Sequence, residues 1–425
     1  MYHRRSLDTA LDQGLSEAAT VRLSGPRTSG KTTTCATLID RKGGTTVRLD
    51  DLDVRRAVQA DPVGYLSDLI PPVLVDEYQY VPEVLDVVKA DLSQHGGVPG
   101  RWLLCGSVSI QAVAPAAESL GGRLSELTMG TLTVDERNDL PQPAFVDRLI
   151  AEGPGFLRGW KAPRLRGRET LLAEATTGGF PLVVAQRNAP GAPRRLLADW
   201  VSAAVISDGA ELGGVRNTEE LRRMLRLYAA STASITPKDK PVAERIEIGR
   251  HTVARYRSLL ADLHVVWDLP AYTPGNATGQ VTKASKLHLV DSGLAAHLAS
   301  RDSVSALDRD DAFAGQLVET MVANDLRVQA TSFGAPLWLG HYREDSQEVD
   351  LIVETHDGRI FGIEIKLTSN PHDRWLSGLR RLARSCGDRF AGGVVLARVP
   401  AGRPAGDGLM IAPLDAVWDI THPGP

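Results

Sequence analysis

The chain has 425 residues, a length that predicts two to four domains, each with its own core. Its 48 lysines and arginines against 52 acidic residues give a net charge of −4, so any nucleic-acid contact must be local. No apolar run is long enough to span a membrane, and Cys35, Cys105 and Cys386 lie far apart without metal spacing. We therefore expect a soluble cytoplasmic protein without disulfides, zinc or a membrane partner.

The strongest local signal is a glycine-rich loop between a strand and a helix. A β-branched, apolar run at 19–23 precedes the loop, and a helical pattern follows at 33–39. Residues 25–32 match the pattern G-x-x-x-x-G-K-[ST], whose backbone N–H groups cradle a phosphate beside a helix N-terminus. The sequence therefore predicts an ATP site formed by Gly25, Pro26, Arg27, Thr28, Ser29, Gly30, Lys31, Thr32 and Thr33.

A second acidic motif suits the same chemistry. Residues 73–75 are an apolar run typical of a buried parallel strand, and Asp76 and Glu77 follow it directly. In such a site Lys31 reaches the β- and γ-phosphates and Thr32 holds Mg²⁺. Asp76 would hold Mg²⁺ through water, and Glu77 would orient or deprotonate the attacking water. The alternative is a pair of solvated acids at a strand end.

Two more candidate catalytic residues lie beside the next predicted strands. The strand at 102–105 is followed by Ser107, which would lie at the carboxyl edge of a doubly wound sheet and sense the γ-phosphate. An ordinary turn serine is the alternative. A helical pattern at 108–120 leads to Arg123, just before a strand at 124–127. Arg123 could complete the ATP site of a neighbouring subunit, or it could be a surface arginine.

Motifs shared with one protein family extend over nearly the whole chain. They are Gly-Pro-Arg-x-x-Gly-Lys-Thr-Thr (25–33), Leu-Asp-Asp-x-Asp-Val-Arg (49–55), Val-Asp-Glu-Tyr-Gln-Tyr-Val-Pro-Glu (75–83), Leu-Gly-Gly-Arg (120–123), Gly-Gly-Phe-Pro (178–181), Lys-Leu-His-Leu-Val-Asp-Ser-Gly-Leu-Ala (286–295) and Glu-Val-Asp-Leu-Ile-Val-Glu (348–354). The sequence therefore resembles the prokaryotic AAA+ ATPases that carry the C-terminal domain of unknown function 4143. One departure is Ser207-Asp208, where the family usually has Arg-Asp.

The resemblance implies an α/β fold with four parts. They are a P-loop AAA+ core with a doubly wound parallel sheet (1–140), a boundary region with a helical lid (141–215), a winged helix (216–305) and a C-terminal domain similar to PD-(D/E)xK restriction endonucleases (306–425). Helical patterns at 169–185 and 194–206 suit a lid over the nucleotide. In the winged helix, Arg250, Arg255 and Arg257 could meet nucleic-acid phosphates, although such a domain can also serve for packing alone.

The C-terminal region offers a second candidate site. Its αβββαβ order, with an acid on the second strand and Glu-x-Lys on the third, is typical of a restriction-type nuclease. Asp350 shares a face with Glu364 and Lys366 only if the loop at 356–358 has three residues, with its glycine left-handed. We predict this register, with Glu319, Asp350 and Glu364 holding a divalent ion and Lys366 stabilising charge or orienting water. Alternatively, Lys366 neutralises Asp350 as a buried pair without metal, or the strands form only a hairpin with charged edges.

Two functions fit these motifs. The first is an ATPase that uses ATP and Mg²⁺ to act on DNA or RNA through its winged-helix and nuclease-like domains. The second is a nucleotide-switched regulator or scaffold whose C-terminal domain binds a protein partner and cuts nothing. The complete acid set favours the first function, whereas the net charge and the lack of a dense basic run favour the second. A homo-oligomer is expected if Arg123 acts between subunits.

Overall fold

The protein is described by a computed structural model that covers residues 3–109, 124–215, 217–275, 283–370 and 372–421. Two large β-sheets, one in each half of the chain, are joined by a mainly helical middle segment. None of the helices within these residues has the length and apolar character that crossing a bilayer requires.

The N-terminal sheet is parallel and has five strands in the order β2-β3-β4-β1-β5. These are β1 (Thr20–Ser24), β2 (Thr45–Arg48), β3 (Val73–Asp76), β4 (Trp102–Gly106) and β5 (Leu124–Thr128), and the helices are Leu7–Glu17, Lys31–Lys42, Leu52–Ala60, Pro62–Leu66 and Val84–Gln94. Every residue of β1, β3 and β4 is buried, which explains their continuous apolar sequences. The predicted doubly wound parallel sheet is confirmed, and the carboxyl ends of its strands form one edge.

The region after β5 is helical. Its helices are Val134–Arg137, Phe145–Glu152, Arg168–Thr177, Pro181–Ala185, Ala192–Trp200 and Asp208–Gly213, with a π-helical segment at Val201–Ser207. The helical pattern predicted at 169–185 is interrupted, because Gly178 has φ +67° and Pro181 begins a new helix. A Cβ added to Gly179 would lie 2.0 Å from the carbonyl oxygen of Leu132, so the break brings the two backbones close together.

Part of the predicted boundary region packs on the last helix of the described chain. The backbone N–H of Ala144 donates to the carbonyl oxygen of Ile420 at 2.7 Å. Arg166 lies between two acids of the C-terminal end, with Nη1 2.8 Å from Asp415 and Nη2 3.2 Å from Asp419. These contacts fold the segment against the C-terminal domain rather than leaving it as an extended linker.

Three helices and a small antiparallel sheet follow. The helices are Thr218–Ala229, Asp239–Ile246 and Arg250–Asp262, and the sheet has the order β6-β9-β7 with β6 (Ser234–Ile235), β7 (Val266–Leu269) and β9 (Lys286–Leu289). The short helices Ser292–Leu298 and Val304–Leu307 complete the segment. Three helices followed by a small sheet suit the predicted winged helix, but residues 276–282, between β7 and β9, lie outside the described residues. The winged-helix assignment therefore stays a prediction.

The C-terminal sheet has seven strands in the order β14-β15-β13-β12-β11-β10-β8. The strands are β8 (Ala271–Tyr272), β10 (Trp338–Glu344), β11 (Gln347–Glu354), β12 (Ile360–Lys366), β13 (Phe390–Ala397), β14 (Arg403–Pro404) and β15 (Leu409–Pro413), and the helices are Asp311–Thr331, Ser377–Cys386 and Ala416–Asp419. Val394 and Leu396 belong to the same buried core as residues of the helix Asp311–Thr331, and Val395 belongs to the same core as residues of Ser377–Cys386. Helices therefore cover both faces of the sheet.

Candidate functional site

The glycine-rich loop follows β1, in the interior of the parallel sheet. Gly25 has φ +152°, and a Cβ there would lie 2.2 Å from the carbonyl oxygen of Met129, so only glycine fits. Gly30, at φ +102°, caps the helix Lys31–Lys42. The first turn of that helix contains no acidic side chain, so its positive dipole end is left to act on an anion.

Lys31 lies within the curve of this loop. Its side chain is buried, and Nζ donates to the carbonyl oxygens of Gly25 and Pro26, both at 2.9 Å. The ammonium is therefore held by the same backbone that is predicted to surround the phosphates.

Asp76 ends β3 and is only 1% exposed. Burial raises its pKa, and hydrogen bonding with Cys105 and Thr32 opposes the rise. Its Oδ1 atom is buried and has no hydrogen-bond partner among the described residues. Since an unsatisfied buried acceptor costs free energy, a hydrated cation beside it would be favourable. Asp76 and Thr32 therefore fit Mg²⁺, a cation that prefers oxygen ligands.

Glu77, Gln79 and Ser107 form a hydrogen-bonded cluster at the ends of β3 and β4. Glu77 has a left-handed backbone, φ +53°, and its Oε2 accepts hydrogen bonds from Gln79 Nε2 and, at 3.3 Å, from Ser107 Oγ. Gln79 Nε2 also lies 3.2 Å from Ser107 Oγ. The structure thus brings the predicted Glu77 and Ser107 together. Sequence reasoning missed Gln79, whose only signal was its place in the 75–83 motif.

Helices of the predicted lid touch the glycine-rich loop directly. Arg27 Nη1 lies 2.8 Å from Asp208 Oδ1 and 3.0 Å from Oδ2, and Trp200 Nε1 donates to the Arg27 carbonyl oxygen at 2.9 Å. Ser207, at the position of the family arginine, donates to the carbonyl oxygen of Ser202 at 3.1 Å. In this ion pair the acid, Asp208, belongs to the predicted lid, and the arginine, Arg27, belongs to the glycine-rich loop.

Arg5 is a second residue that sequence reasoning missed. It is 4% exposed, and Nη1 donates to the carbonyl oxygen of Ser29 at 2.8 Å. Nη2 donates to the carbonyl oxygen of Gly130 at 2.9 Å, and Nε pairs with Glu136 at 2.9 Å. Arg5 therefore joins the loop to the chain after β5. A basic residue before the first helix is too common a signal to have revealed this contact.

The candidate residue Arg123 lies in 110–123, outside the described residues. Its role between subunits stays a prediction.

The hairpin between β11 and β12 has the predicted register. Leu351 pairs with Ile363, and the same register places Asp350 opposite Glu364. The backbone N–H of Thr355 donates to the carbonyl oxygen of Arg359 at 3.1 Å, which closes a three-residue loop at 356–358. The glycine of this loop has φ +82°, so the predicted left-handed turn is confirmed.

The side chains of this hairpin converge as expected. Lys366 Nζ lies 2.5 Å from Glu364 Oε1 and 3.6 Å from Asp350 Oδ2. The backbone N–H of Ile365 donates to Asp350 Oδ2 at 2.9 Å. The two acids and Lys366 therefore share one face of the sheet, which both the predicted metal site and the buried-pair alternative require.

A further lysine, not predicted, lies among the acids. Lys286, at the start of β9, places Nζ 2.7 Å from Glu319, 2.6 Å from Glu348 and 3.1 Å from Asp350. Across the described parts of the chain, no group of three or more His, Cys, Asp or Glu side chains is placed to hold a metal ion. In this arrangement, the predicted set of Glu319, Asp350 and Glu364 does not fit a divalent ion.

Burial and the two lysines shift the pKa values of the three acids in this pocket in different directions. Burial raises the pKa of Glu319 and of Glu364 to about 8. Burial also acts on Asp350, but Lys286 and Lys366 outweigh it and lower the Asp350 pKa to about 2. The lysines therefore hold the pKa of Asp350 far below the pKa of Glu319 and of Glu364.

The parallel sheet and its glycine-rich loop have the fold of the AAA-type P-loop ATPases. Family models match the chain in three places: the AAA domain at residues 17–138, a Domain of unknown function (DUF8612) at 168–305 and a Domain of unknown function (DUF4143) at 314–417. The chain thus combines an AAA domain with a C-terminal DUF4143 domain, as its motifs predict. The likeness of that domain to PD-(D/E)xK nucleases stays a prediction.

Two curated relatives and several solved structures are similar to the chain. Uncharacterized protein Rv2008c of Mycobacterium tuberculosis and Uncharacterized protein Mb2031c of Mycobacterium bovis are each 28% identical over 375 residues, which is 87% of this chain and 75% of theirs. The Walker-type ATPase PABY2304 of Pyrococcus abyssi is 13% identical, with TM-score 0.44, over 70% of this chain and 96% of its own. The RuvB Holliday junction branch migration motor of Thermotoga maritima is 14% identical, with TM-score 0.29, over 62% and 89%.

Proposed function

We propose that this protein binds ATP with Mg²⁺ and hydrolyses it. The observation that carries the proposal is the meeting, at one edge of the parallel sheet, of the loop at 25–32 with Asp76 and Glu77. These elements correspond to the phosphate cradle, the metal-binding acid and the water-orienting acid of a P-loop ATPase.

Each group has a distinct task in this proposal. The loop amides and Lys31 bind the phosphates, and Thr32 and Asp76 hold Mg²⁺. When bound, Mg²⁺ neutralises charge on the β- and γ-phosphates. Glu77 accepts a hydrogen bond from the attacking water and orients it. Ser107 keeps the Glu77 carboxylate at the ends of β3 and β4, through the contact at 3.3 Å.

The lid contact supports a role as a nucleotide-controlled switch. Arg27 belongs to the phosphate-binding loop, yet its guanidinium pairs with Asp208. Because a phosphate is a strong competitor for an arginine, bound nucleotide would weaken this pair and free the lid helices to move. This contact favours the regulator or scaffold, with a protein partner at the C-terminal domain.

Action on DNA or RNA is the second candidate. It is supported by the shared face of Asp350, Glu364 and Lys366, and by Arg250 and Arg255, which are exposed on the helix Arg250–Asp262. The third predicted arginine, Arg257, pairs with Asp239 at 3.4 Å and contributes less free charge. The two candidates differ in whether nucleic acid is bound and cut.

Hydrolysis can be tested with two substitutions of opposite expected effect on binding. Lys31→Ala should abolish ATP binding, because it removes the ammonium that meets the β- and γ-phosphates. Glu77→Gln should keep binding and lower turnover by about 10²- to 10⁴-fold, since only the water-orienting carboxylate is lost. ATP binding is measured by calorimetry and turnover by phosphate release.

Lys42→Ala is the matched control, because Lys42 lies in the last turn of the same helix and pairs with Asp12 away from the loop. It should hydrolyse ATP at the wild-type rate. Unchanged hydrolysis in both Lys31→Ala and Glu77→Gln would rule out the proposal. Running the same reactions with single-stranded, duplex and branched DNA and RNA, scored also for cutting, decides between the two candidates.

A further inference from the structure

Lys286 contributes a buried ammonium to the acidic pocket of another domain. It belongs to β9 of the middle segment, whereas its partners belong to the C-terminal domain. Its side chain is 1% exposed, so it is held inside the protein rather than at a solvent-screened surface. A buried ammonium requires paired charges around it. The three carboxylates around it meet that requirement.

The geometry around Nζ resembles the environment of a bound cation. Oxygens of Glu319, Glu348 and Asp350 approach to 2.7, 2.6 and 3.1 Å, from a helix and from alternate positions of β11. An ammonium has three donors, and each finds one carboxylate. A hard divalent ion would need these same oxygens at shorter distances and would lie beside a positive charge. The two cations therefore exclude each other.

Polar contacts on both sides of Glu319 hold its helix against the strands next to Lys286. Along the helix Asp311–Thr331, Gln316 Nε2 donates to Ser234 Oγ at 2.8 Å, and Thr320 Oγ1 lies 2.8 Å from Thr232 Oγ1. These contacts bind the helix to the sheet β6-β9-β7, one turn before and directly after Glu319. The ammonium cannot leave the acids unless this interface separates.

We propose that Lys286 is the resident cation of this pocket and takes the place of a divalent metal ion. While the middle segment is docked, the C-terminal domain binds no metal through Asp350 and does not cleave nucleic acid by metal-dependent chemistry there. β9 thus acts as an autoinhibitory strand. The inference concerns the chain without nucleotide, so it stands or falls independently of the proposed ATP hydrolysis.

The test measures Mn²⁺ binding to the full chain by electron paramagnetic resonance. All samples carry Asp76→Asn, which removes the acid expected at the ATP site. The chain with this substitution alone is called the parent. The parent should bind no more Mn²⁺ than the same chain with Asp350→Asn. Adding Lys286→Met should create one site per chain, at least ten-fold tighter than any in the parent, and Asp350→Asn should remove it again. The control Lys240→Met changes an exposed lysine that pairs with Glu244, and it should create no site.

Two results would overturn the proposal. One is that the Asp76→Asn parent binds Mn²⁺ and loses this binding when Asp350→Asn is added. This measurement requires no substitution of Lys286. The other is a folded Lys286→Met chain, verified by circular dichroism, that gains no site. If the loss of Lys286 weakens folding, Mn²⁺ should raise the melting temperature of Lys286→Met and leave that of the parent unchanged. A melting temperature that Mn²⁺ leaves unchanged in Lys286→Met also counts against the proposal.

Discussion

Asp135 is a buried acid that forms no ion pair with the residues that the structure describes. It is 2% exposed, and its Oδ1 has no hydrogen-bond partner among the residues described. Burial, together with the nearby Glu136 and Asp325, raises the pKa of Asp135 to about 8. Asp325, on the helix Asp311–Thr331, is itself raised to about 7 by burial, which Arg137 only partly offsets. The two acids lie near each other where the AAA domain meets the C-terminal domain, and the backbone N–H of Val134, next to Asp135, donates to Asp325 Oδ2 at 3.1 Å.

The raised pKa makes stability depend on pH. Because the folded chain holds the Asp135 proton more tightly than the unfolded chain, the contribution is complete below about pH 4 and is lost as the pH rises to about 8. The free energy of unfolding should fall by up to about 1.4 kcal/mol per pH unit from this group. Asp135→Asn should remove that share of the slope. Thermal unfolding of both chains across this pH range measures the difference.

Asp139→Asn serves as the control for this prediction, since the Asp139 side chain is 75% exposed and lies close in sequence. It should leave the pH dependence unchanged. Parallel pH profiles for wild type and Asp135→Asn would show that Asp135 is not protonated in the folded chain.

The helix Ser377–Cys386 lies unusually close to β11. A Cβ added at Gly378 would lie 2.0 Å from the carbonyl oxygen of Glu348, and backbone cannot move aside as a flexible side chain can. In contrast, a Cβ at Gly315, in the helix Asp311–Thr331, would meet no atom of the described residues within 4 Å. The two glycines therefore have different reasons to be present.

Alanine substitutions at these two glycines should shift stability in opposite directions. Gly378→Ala should destabilise the chain by about 1 to 3 kcal/mol, because the helix must move off the sheet. Gly315→Ala should stabilise it by about 0.5 to 1 kcal/mol, because alanine loses less backbone freedom in a helix. Urea unfolding measures both. Equal stabilities of Gly378→Ala and wild type would contradict the close packing.

At the scale of the whole molecule, we predict that Arg123 works between subunits. This prediction comes from the sequence, where Arg123 precedes the edge strand of the AAA core. Hydrolysis per chain should rise with protein concentration as oligomers form. Mixing Arg123→Ala chains with Lys31→Ala chains should restore part of the activity, since one chain keeps an intact loop and the other an intact arginine.

Each variant measured alone at the same total concentration is the control for the mixing experiment. A mixture that stays inactive, with a wild-type monomer at full rate, would exclude a role of Arg123 between subunits.

The sequence alone determined the features that depend on neighbours along the chain. The loop at 25–32 was predictable because glycine, lysine and threonine at that spacing serve one backbone geometry. The buried strands β1, β3 and β4 were predictable from their continuous apolar runs. The pairing of Asp350 with Glu364 followed from the turn chemistry of the loop at 356–358, because a hairpin transmits its register through short-range geometry.

Only the tertiary structure decided the contacts that cross between domains. Arg27 meets Asp208 across 181 residues, and Lys286 meets Asp350 across 64. Periodicity and turn residues carry no information about such pairs, because any of the many charged side chains could satisfy the same local pattern. The fold selects the pair of Lys286 with Asp350, because it brings β9 against the helix Asp311–Thr331. Burial makes such a pair matter for stability, because a charge that is removed from water costs free energy unless it has a partner.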